Sequence, residues 1–83
     1  MITNTEMAKI LSYLNRANLN SAKENQTSVW MDAISTAIPD LRMKVAEDAA
    51  RWLALNRTAD ERNTWITPGD FVLAVEAVRA EYL

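Results

Sequence analysis

The sequence predicts an all-α fold, a single compact bundle of about four helices. Gly69 is the only glycine, and Pro39 and Pro68 are the only prolines in 83 residues. β-Structure needs many turns and the residues that form them, so these counts argue against it. Apolar residues recur three to four positions apart, which places them on one face of a helix. An apolar share of 49% is enough for the core of one domain of this length.

Helix 1 is predicted over residues 4–17 and helix 2 over residues 27–37. Thr3, followed by Glu6 three positions later, is a capping box, in which each side chain accepts a hydrogen bond from the other residue's backbone N–H. Helix 2 ends before Pro39, because the residue preceding a proline avoids the α conformation. The predicted buried positions are Met7, Ile10, Leu11, Leu14 and Ala17 on helix 1, and Trp30, Ala33, Ile34 and Ala37 on helix 2.

Helix 3 is predicted over residues 41–57, with Asp40 as its N-cap, and helix 4 over residues 68–82. The start of helix 4 is the clearest in the chain: Thr67 takes the N-cap, Pro68 the first helical position and Asp70 the third. The predicted inward positions are Leu41, Val45, Ala49, Trp52 and Leu53 on helix 3, and Phe71, Val75, Val78 and Tyr82 on helix 4.

Catalysis is not expected from this composition. The chain has no histidine and no cysteine, which removes the commonest general base, metal ligand and thiol nucleophile. A single glycine cannot build a phosphate-binding loop. The adjacent acids are Glu47-Asp48 and Asp60-Glu61, and neighbouring positions on a helix point in different directions. We therefore predict that the protein is not an enzyme and has no catalytic, cofactor-binding or metal-binding residues.

Direct nucleic-acid binding is also not expected, because the net charge is −2 and no basic stripe is present to neutralise phosphates. The alternative is a helix-turn-helix made of helices 2 and 3. The start of helix 3 would then enter a groove of DNA, but its Asp40, Arg42, Lys44 and Glu47 are of mixed sign.

A cytoplasmic location is predicted. No run of 18 apolar residues is present to span a membrane. Residues 1–6 lack the basic and apolar regions of a signal peptide. The absence of cysteine agrees with a reducing compartment.

A partner-binding surface is suggested by apolar residues on the sides of helices 3 and 4 that face away from the predicted core. Small exposed apolar residues are common and often have no function. Two such strips on adjacent helices, however, would offer a smooth surface for another helix, or for a second copy of the chain. The candidate contact residues are Leu73, Ala77 and Ala80 on helix 4, Met43, Ala50 and Ala54 on helix 3, and Trp65 before helix 4.

Trp30, the pair Ala46 and Ala49, and above all the segment Trp65–Phe71 (WITPGDF) resemble a known family. The sequence is similar to the N-terminal helical domain of phage helicase loader/inhibitor proteins and their small relatives in actinobacterial phages. The resemblance implies a small acidic protein that contacts a hexameric replicative helicase. In that family the contact is made by a flexible C-terminal tail, whereas this sequence ends at Leu83. Either such a tail lies outside this sequence, or the folded surface makes the contact.

Together these features predict a non-catalytic protein-interaction module. The resemblance suggests a phage replication accessory protein that acts on a replicative helicase or on another host protein. For a phage-encoded protein the predicted location is the host cytoplasm. Two alternatives stay open: a helix-turn-helix DNA-binding regulator, and a small self-associating structural or assembly protein.

Overall fold

The computed structural model describes residues 1–20, 26–57 and 65–82. It contains four helices: α1 (Asn4–Arg16), α2 (Gln26–Ala37), α3 (Met43–Asn56) and α4 (Pro68–Glu81). No strand occurs within these described ranges. The predicted all-α bundle is therefore confirmed, and the helix limits differ from the predicted ones by one or two residues, which is the usual uncertainty at helix ends.

Two capping boxes begin α1 and α4, as predicted. In α1 the Glu6 N–H donates to Thr3 Oγ1 at 3.1 Å, and the Thr3 N–H donates to Glu6 Oε1 at 2.9 Å. In α4 the Asp70 N–H donates to Thr67 Oγ1 at 3.2 Å, and the Thr67 N–H donates to Asp70 Oδ2 at 2.8 Å. Each box is flanked by a buried apolar pair at the staple positions. These pairs are Ile2 with Met7 and Ile66 with Phe71.

The C-terminus of α1 closes with a Schellman motif around Asn18. The Leu19 N–H donates to the Leu14 carbonyl at 2.8 Å, and the Asn18 N–H donates to the Asn15 carbonyl at 3.0 Å. Asn18 has φ 61°, the left-handed conformation that asparagine tolerates better than most residues. The motif turns Leu19 into the core, where its carbonyl accepts from the Ile66 N–H at 3.0 Å. The chain preceding α4 is thereby fixed to the end of α1.

The predicted cap of α3 is wrong. Arg42 occupies the N-cap position and makes no side-chain capping bond, so the helix begins two residues later than expected. The cause is the connector from α2, in which Ile38 and Leu41 are both buried and hold the backbone outside the helix. Asp40 instead accepts a hydrogen bond from Arg79 Nη2 at 3.3 Å.

The helices form two stacked pairs. α1 packs against α2, α3 packs against α4, and the pairs meet through the contacts of α1 with α3 and of α2 with α4. The Cα extents of 33 × 31 × 17 Å fit two layers of helices. Within these fully described helices, α2 and α3 do not pack against each other. Their arrangement therefore differs from a helix-turn-helix, whose two helices are in contact.

The core lies between the two pairs and is apolar. The Trp30 and Phe71 rings meet edge to face with centroids 5.8 Å apart and an interplanar angle of 66°, joining α2 to α4. The largest fully buried side chains are Phe71, Met7, Leu14, Leu19, Ile34, Leu41 and Val75.

Several predicted inward positions are corrected by the structure. The buried stripe of α3 consists of Ala46, Ala49, Ala50 and Leu53, whereas the predicted Val45 and Trp52 are only half-buried. α3 packs against both α1 and α4, and small side chains allow a close approach to both neighbours. Three other errors fall at helix ends, which extend past the packed layer: Ala37 and Tyr82 are exposed, and Ala17 is half-buried. Ala33, inside α2, is also half-buried.

Candidate protein-interaction surface

α3 and α4 run antiparallel, and their side chains meet at two places. In the middle of α3, Asp48 accepts a hydrogen bond from the Tyr82 hydroxyl at the end of α4. Near the end of α3, Asn56 lines the same concavity as Asp70 and Leu73 from the first turns of α4. The two helices are therefore in contact from the middle of α3 to its end.

Two concavities lie on this solvent side, with Trp52 bordering both. The first has a volume of about 200 Å³. Its lining residues are Asp48, Arg51, Trp52, Leu55, Val78, Glu81 and Tyr82. The second has a volume of about 220 Å³. Its lining residues are Trp52, Leu53, Asn56, Arg57, Asp70 and Leu73. Each concavity is thus bordered by one strongly exposed leucine, Leu55 (79% exposed) or Leu73 (64% exposed).

We define the α3–α4 outer face as Trp52, Leu55, Leu73, Ala77, Ala80 and Tyr82. Ala77 and Ala80 follow Leu73 by four and seven positions, so they lie on the same side of α4. Tyr82 is 55% exposed and adds an aromatic ring at one end. The backbone beneath these residues is held by the buried stripes of α3 and α4. The result is an apolar surface on two rigid helices.

Asp48 binds three polar side chains at the Tyr82 end of the face. Its carboxylate lies 3.1 Å from Arg51 Nη1 and 3.5 Å from Lys44 Nζ, in addition to accepting from Tyr82. The Tyr82 hydrogen bond, with smaller contributions from Lys44 and Arg51, lowers the pKa of Asp48 below 3.8. The same hydrogen bond raises the pKa of Tyr82 above 10.0. Lys44 and Arg51, both on α3, therefore pair with the same carboxylate.

A second link fixes α4 to the connector before α3. The Arg79 hydrogen bond and charge lower the pKa of Asp40 below 3.8. Both ties join the end of α4 to the first half of α3 and the connector before it.

The predicted contact residues do not form one surface. Leu73 and Ala80 are exposed and Ala77 is half-buried, so the α4 strip lies on the outer face. The α3 strip lies elsewhere: Ala50 is 1% exposed, and Met43 and Ala54 are half-buried against the core. Met43 and Ala50 lie on the side of α3 that faces α1, and the packing of α1 against α3 was not predicted from the sequence.

Between α1 and α3 there is a separate groove with a volume of about 250 Å³. Its lining residues are Lys9, Ile10, Tyr13, Met43, Glu47, Ala50 and Arg51. Charged side chains from both helices border its apolar floor. Met43 and Ala50 therefore contribute to this groove and not to a surface shared with Leu73.

Trp65 is 53% exposed, as expected for a candidate contact residue. It precedes Ile66, whose N–H is bonded to Leu19, and so it lies at the end of the domain where α1 terminates. Trp65 lines neither concavity of the outer face. It is a separate exposed aromatic group.

Leu55 and the outward positions of Trp52 and Tyr82 were not predicted from the sequence. The available signal was the alanine pattern of α3. If Ala46, Ala49 and Ala50 face inward, the helical spacing places Leu55 on the opposite side.

No group of three or more potential metal-ligating side chains occurs in residues 1–20, 26–57 and 65–82. Glu47 lines the α1–α3 groove while Asp48 lines the outer face, so these adjacent acids point to different surfaces, as predicted. The other acidic pair, Asp60-Glu61, lies outside the described residues.

Comparison of the chain with protein-family models, curated proteins and solved structures finds no match. The resemblance to phage helicase loader domains therefore stays a prediction. No described helix is long and apolar enough to cross a membrane.

Proposed function

We propose that this domain is a non-catalytic protein-interaction module that binds its partner through the α3–α4 outer face. The observation that carries the proposal is the pair of protruding leucines, Leu55 and Leu73, one beside each of the two concavities that Trp52 borders. With Tyr82 and the two alanines they place exposed apolar side chains on two adjacent helices, and such groups often mark protein interaction sites.

The arrangement of this face favours a binding surface over a chance exposure of single apolar residues. Val29 on α2 is also 61% exposed, but single apolar residues scattered over a surface are normal. The outer face instead combines protruding side chains, adjacent concavities and a half-buried tryptophan. Central tryptophan and tyrosine residues next to pockets are typical of the energetically important positions of protein interfaces.

A protein partner is better supported than DNA. α2 and α3, both fully described, do not pack as a helix-turn-helix pair. The exposed cations Lys44 and Arg51 both pair with Asp48, which reduces their availability to phosphates. The net charge of −2 adds long-range repulsion from a nucleic acid.

The family resemblance makes a hexameric replicative helicase the first partner to test, and a role as a phage replication accessory protein is part of the proposal. The absence of cysteine supports action in the cytoplasm. If the folded part of the chain makes the contact, the outer face is the surface that we propose for it.

The test uses two outer-face variants and one matched control. Leu55→Glu and Leu73→Glu each place a charge on the face, whereas Val29→Glu makes the same change on α2. Each purified variant is used to capture purified replicative helicase and, in parallel, proteins from a host lysate. We expect the parent and Val29→Glu to retain the same partner and both outer-face variants to lose it.

Thermal melting of the same variants separates loss of binding from loss of folding. All three substituted side chains are more than half exposed, so we expect the three variants to melt close to the parent. If the folded outer-face variants captured the partner as well as the parent does, the outer face would not be the binding surface.

A further inference from the structure

We propose that the groove between α1 and α3 is a second binding site, whose occupant is an amphipathic helix of a partner protein with acidic side chains along one flank and basic side chains along the other. The groove shares Arg51 with the first concavity of the outer face, but it is not lined by Trp52, Leu55 or Leu73. The inference therefore concerns a different surface from the proposed function.

The floor of the groove is apolar and belongs to the core. Ile10 from α1 is 2% exposed and Ala50 from α3 is 1% exposed. Met43, which is half-buried, and Tyr13, which is 41% exposed, also line the groove. A ligand that lies here would therefore cover apolar atoms from both helices.

The walls of the groove favour a helical ligand. Apart from Met43 in the first turn of α3, the lining residues lie inside α1 and α3, where backbone hydrogen bonds are made within the helix. An extended peptide would find few free backbone groups to pair with, whereas a helix satisfies its own backbone and binds through side chains. The volume of about 250 Å³ is also below the roughly 300–1,000 Å³ of typical small-molecule sites.

The rim of the groove carries one charge of each sign without a partner in the described part of the chain. Lys9 on α1 and Glu47 on α3 are exposed, and neither forms an ion pair or hydrogen bond with another described residue. Arg51 also borders the groove, but its Nη1 lies 3.1 Å from the Asp48 carboxylate. A helix whose acidic flank faces Lys9 and whose basic flank faces Glu47 would complement both sides of the groove.

A designed peptide of about 16 residues tests the groove. This mixed peptide carries leucines three and four positions apart, with glutamate on one flank of the leucines and lysine on the other. Fluorescence anisotropy of the labelled peptide measures binding, and amide NMR spectra of the labelled domain locate it. We expect a dissociation constant below about 1 mM and shifts at Ile10, Tyr13 and Ala50.

Charge reversals test the complementarity. Lys9→Glu and Glu47→Lys each give both rims the same sign, so each should raise the dissociation constant of the mixed peptide about threefold to fivefold. The double variant Lys9→Glu/Glu47→Lys should restore binding, because a helix turned end to end exchanges its two flanks. Arg16→Glu makes the same change as Lys9→Glu at an exposed position of α1 that does not line the groove, and should leave binding unchanged. Equal binding by the parent and both single variants would overturn the inference.

The same experiment distinguishes the groove from the outer face, where a leucine-rich helix could also bind. If the groove is the site, Leu55→Glu and Leu73→Glu should bind the mixed peptide as the parent does. Loss of binding in these two variants would place the peptide on the outer face and overturn the inference. Absence of binding at about 1 mM peptide would overturn it as well. Groove shifts that appear with rising domain concentration and no peptide would identify a second copy as the occupant, against the proposal.

Discussion

Replacing Trp30 by alanine is the perturbation whose consequence follows most directly from the structure. The side chain is 4% exposed, and its ring contacts the fully buried ring of Phe71 edge to face. This contact joins α2 to α4, so Trp30 stabilises the junction between the two helix pairs as well as its own helix. Alanine at this position would remove the ring and leave a cavity that neighbouring helices can fill only partly.

We expect Trp30→Ala to lower the free energy of unfolding by about 4 kcal/mol. Tryptophan-to-alanine changes in protein cores cost about 3–5 kcal/mol, from lost burial and the remaining cavity together. The edge-to-face pair with Phe71 accounts for roughly 0.5–1.5 kcal/mol of it. A domain of this length has a total stability of about 4–12 kcal/mol, so the variant should be close to unfolding at room temperature.

Urea unfolding followed by far-UV circular dichroism measures this difference. Trp65→Ala is the matched control, because that side chain is 53% exposed and should cost little. The sequence predicts that Trp52 is buried like Trp30. In the structure Trp52 is half-buried, so Trp52→Ala should lower the free energy of unfolding by only about 1–2 kcal/mol. A Trp30→Ala variant within about 1 kcal/mol of the parent would refute the assigned core. A double-mutant cycle with Phe71→Leu would isolate the ring contact.

Three further predictions concern the caps, the pH dependence and DNA. Thr67→Ala should destabilise the domain by about 1 kcal/mol in urea unfolding, and Thr67→Ser should restore the cap; equal stability of all three proteins would contradict the observed start of α4. The raised pKa of Tyr82 contributes stability that is present below pH 10.0 and is lost as the pH rises through the folded-state pKa. The lowered pKa of Asp48 contributes stability that is present above pH 3.8 and is lost as the pH falls through its folded-state pKa. Tyr82→Phe should make the melting temperature depend less on pH in both ranges. A pH profile identical to that of the parent would contradict the hydrogen bond between Tyr82 and Asp48. Gel shifts at physiological salt should detect no sequence-specific DNA complex, and a nanomolar complex would support the helix-turn-helix alternative.

The elements that local chemistry determines were predictable from the sequence. The capping boxes at Thr3 and Thr67 involve residues three positions apart, and both are present. The core positions of α1 also follow from spacing, because this helix is buried on one side only. For such elements the information lies within a few neighbouring residues, and no knowledge of the tertiary arrangement is needed.

The orientation of α3 was not predictable in the same way. Spacing alone allows two stripes on this helix, and the larger side chains Val45 and Trp52 were assigned inward because large apolar residues bury more surface. The structure buries the alanines instead, because α3 lies against two helices at once. Which helices are neighbours is a property of the tertiary fold. For this reason the sequence predicts only part of the outer face. It places Leu73 on the exposed side of α4, whereas the exposed position of Leu55 on α3 is not predicted.

Amide NMR spectra of the isotope-labelled domain test the central claim most directly, because they report on every part of the surface in one measurement. The spectra are recorded at increasing concentration of the domain itself, and at a fixed low concentration with captured partner added. We predict that the shifted resonances cluster at Trp52, Leu55, Leu73 and Ala77 while those of the core stay in place. Shifts confined to the α1–α3 groove, around Tyr13 and Met43, would contradict the assignment of the α3–α4 outer face as the interaction surface.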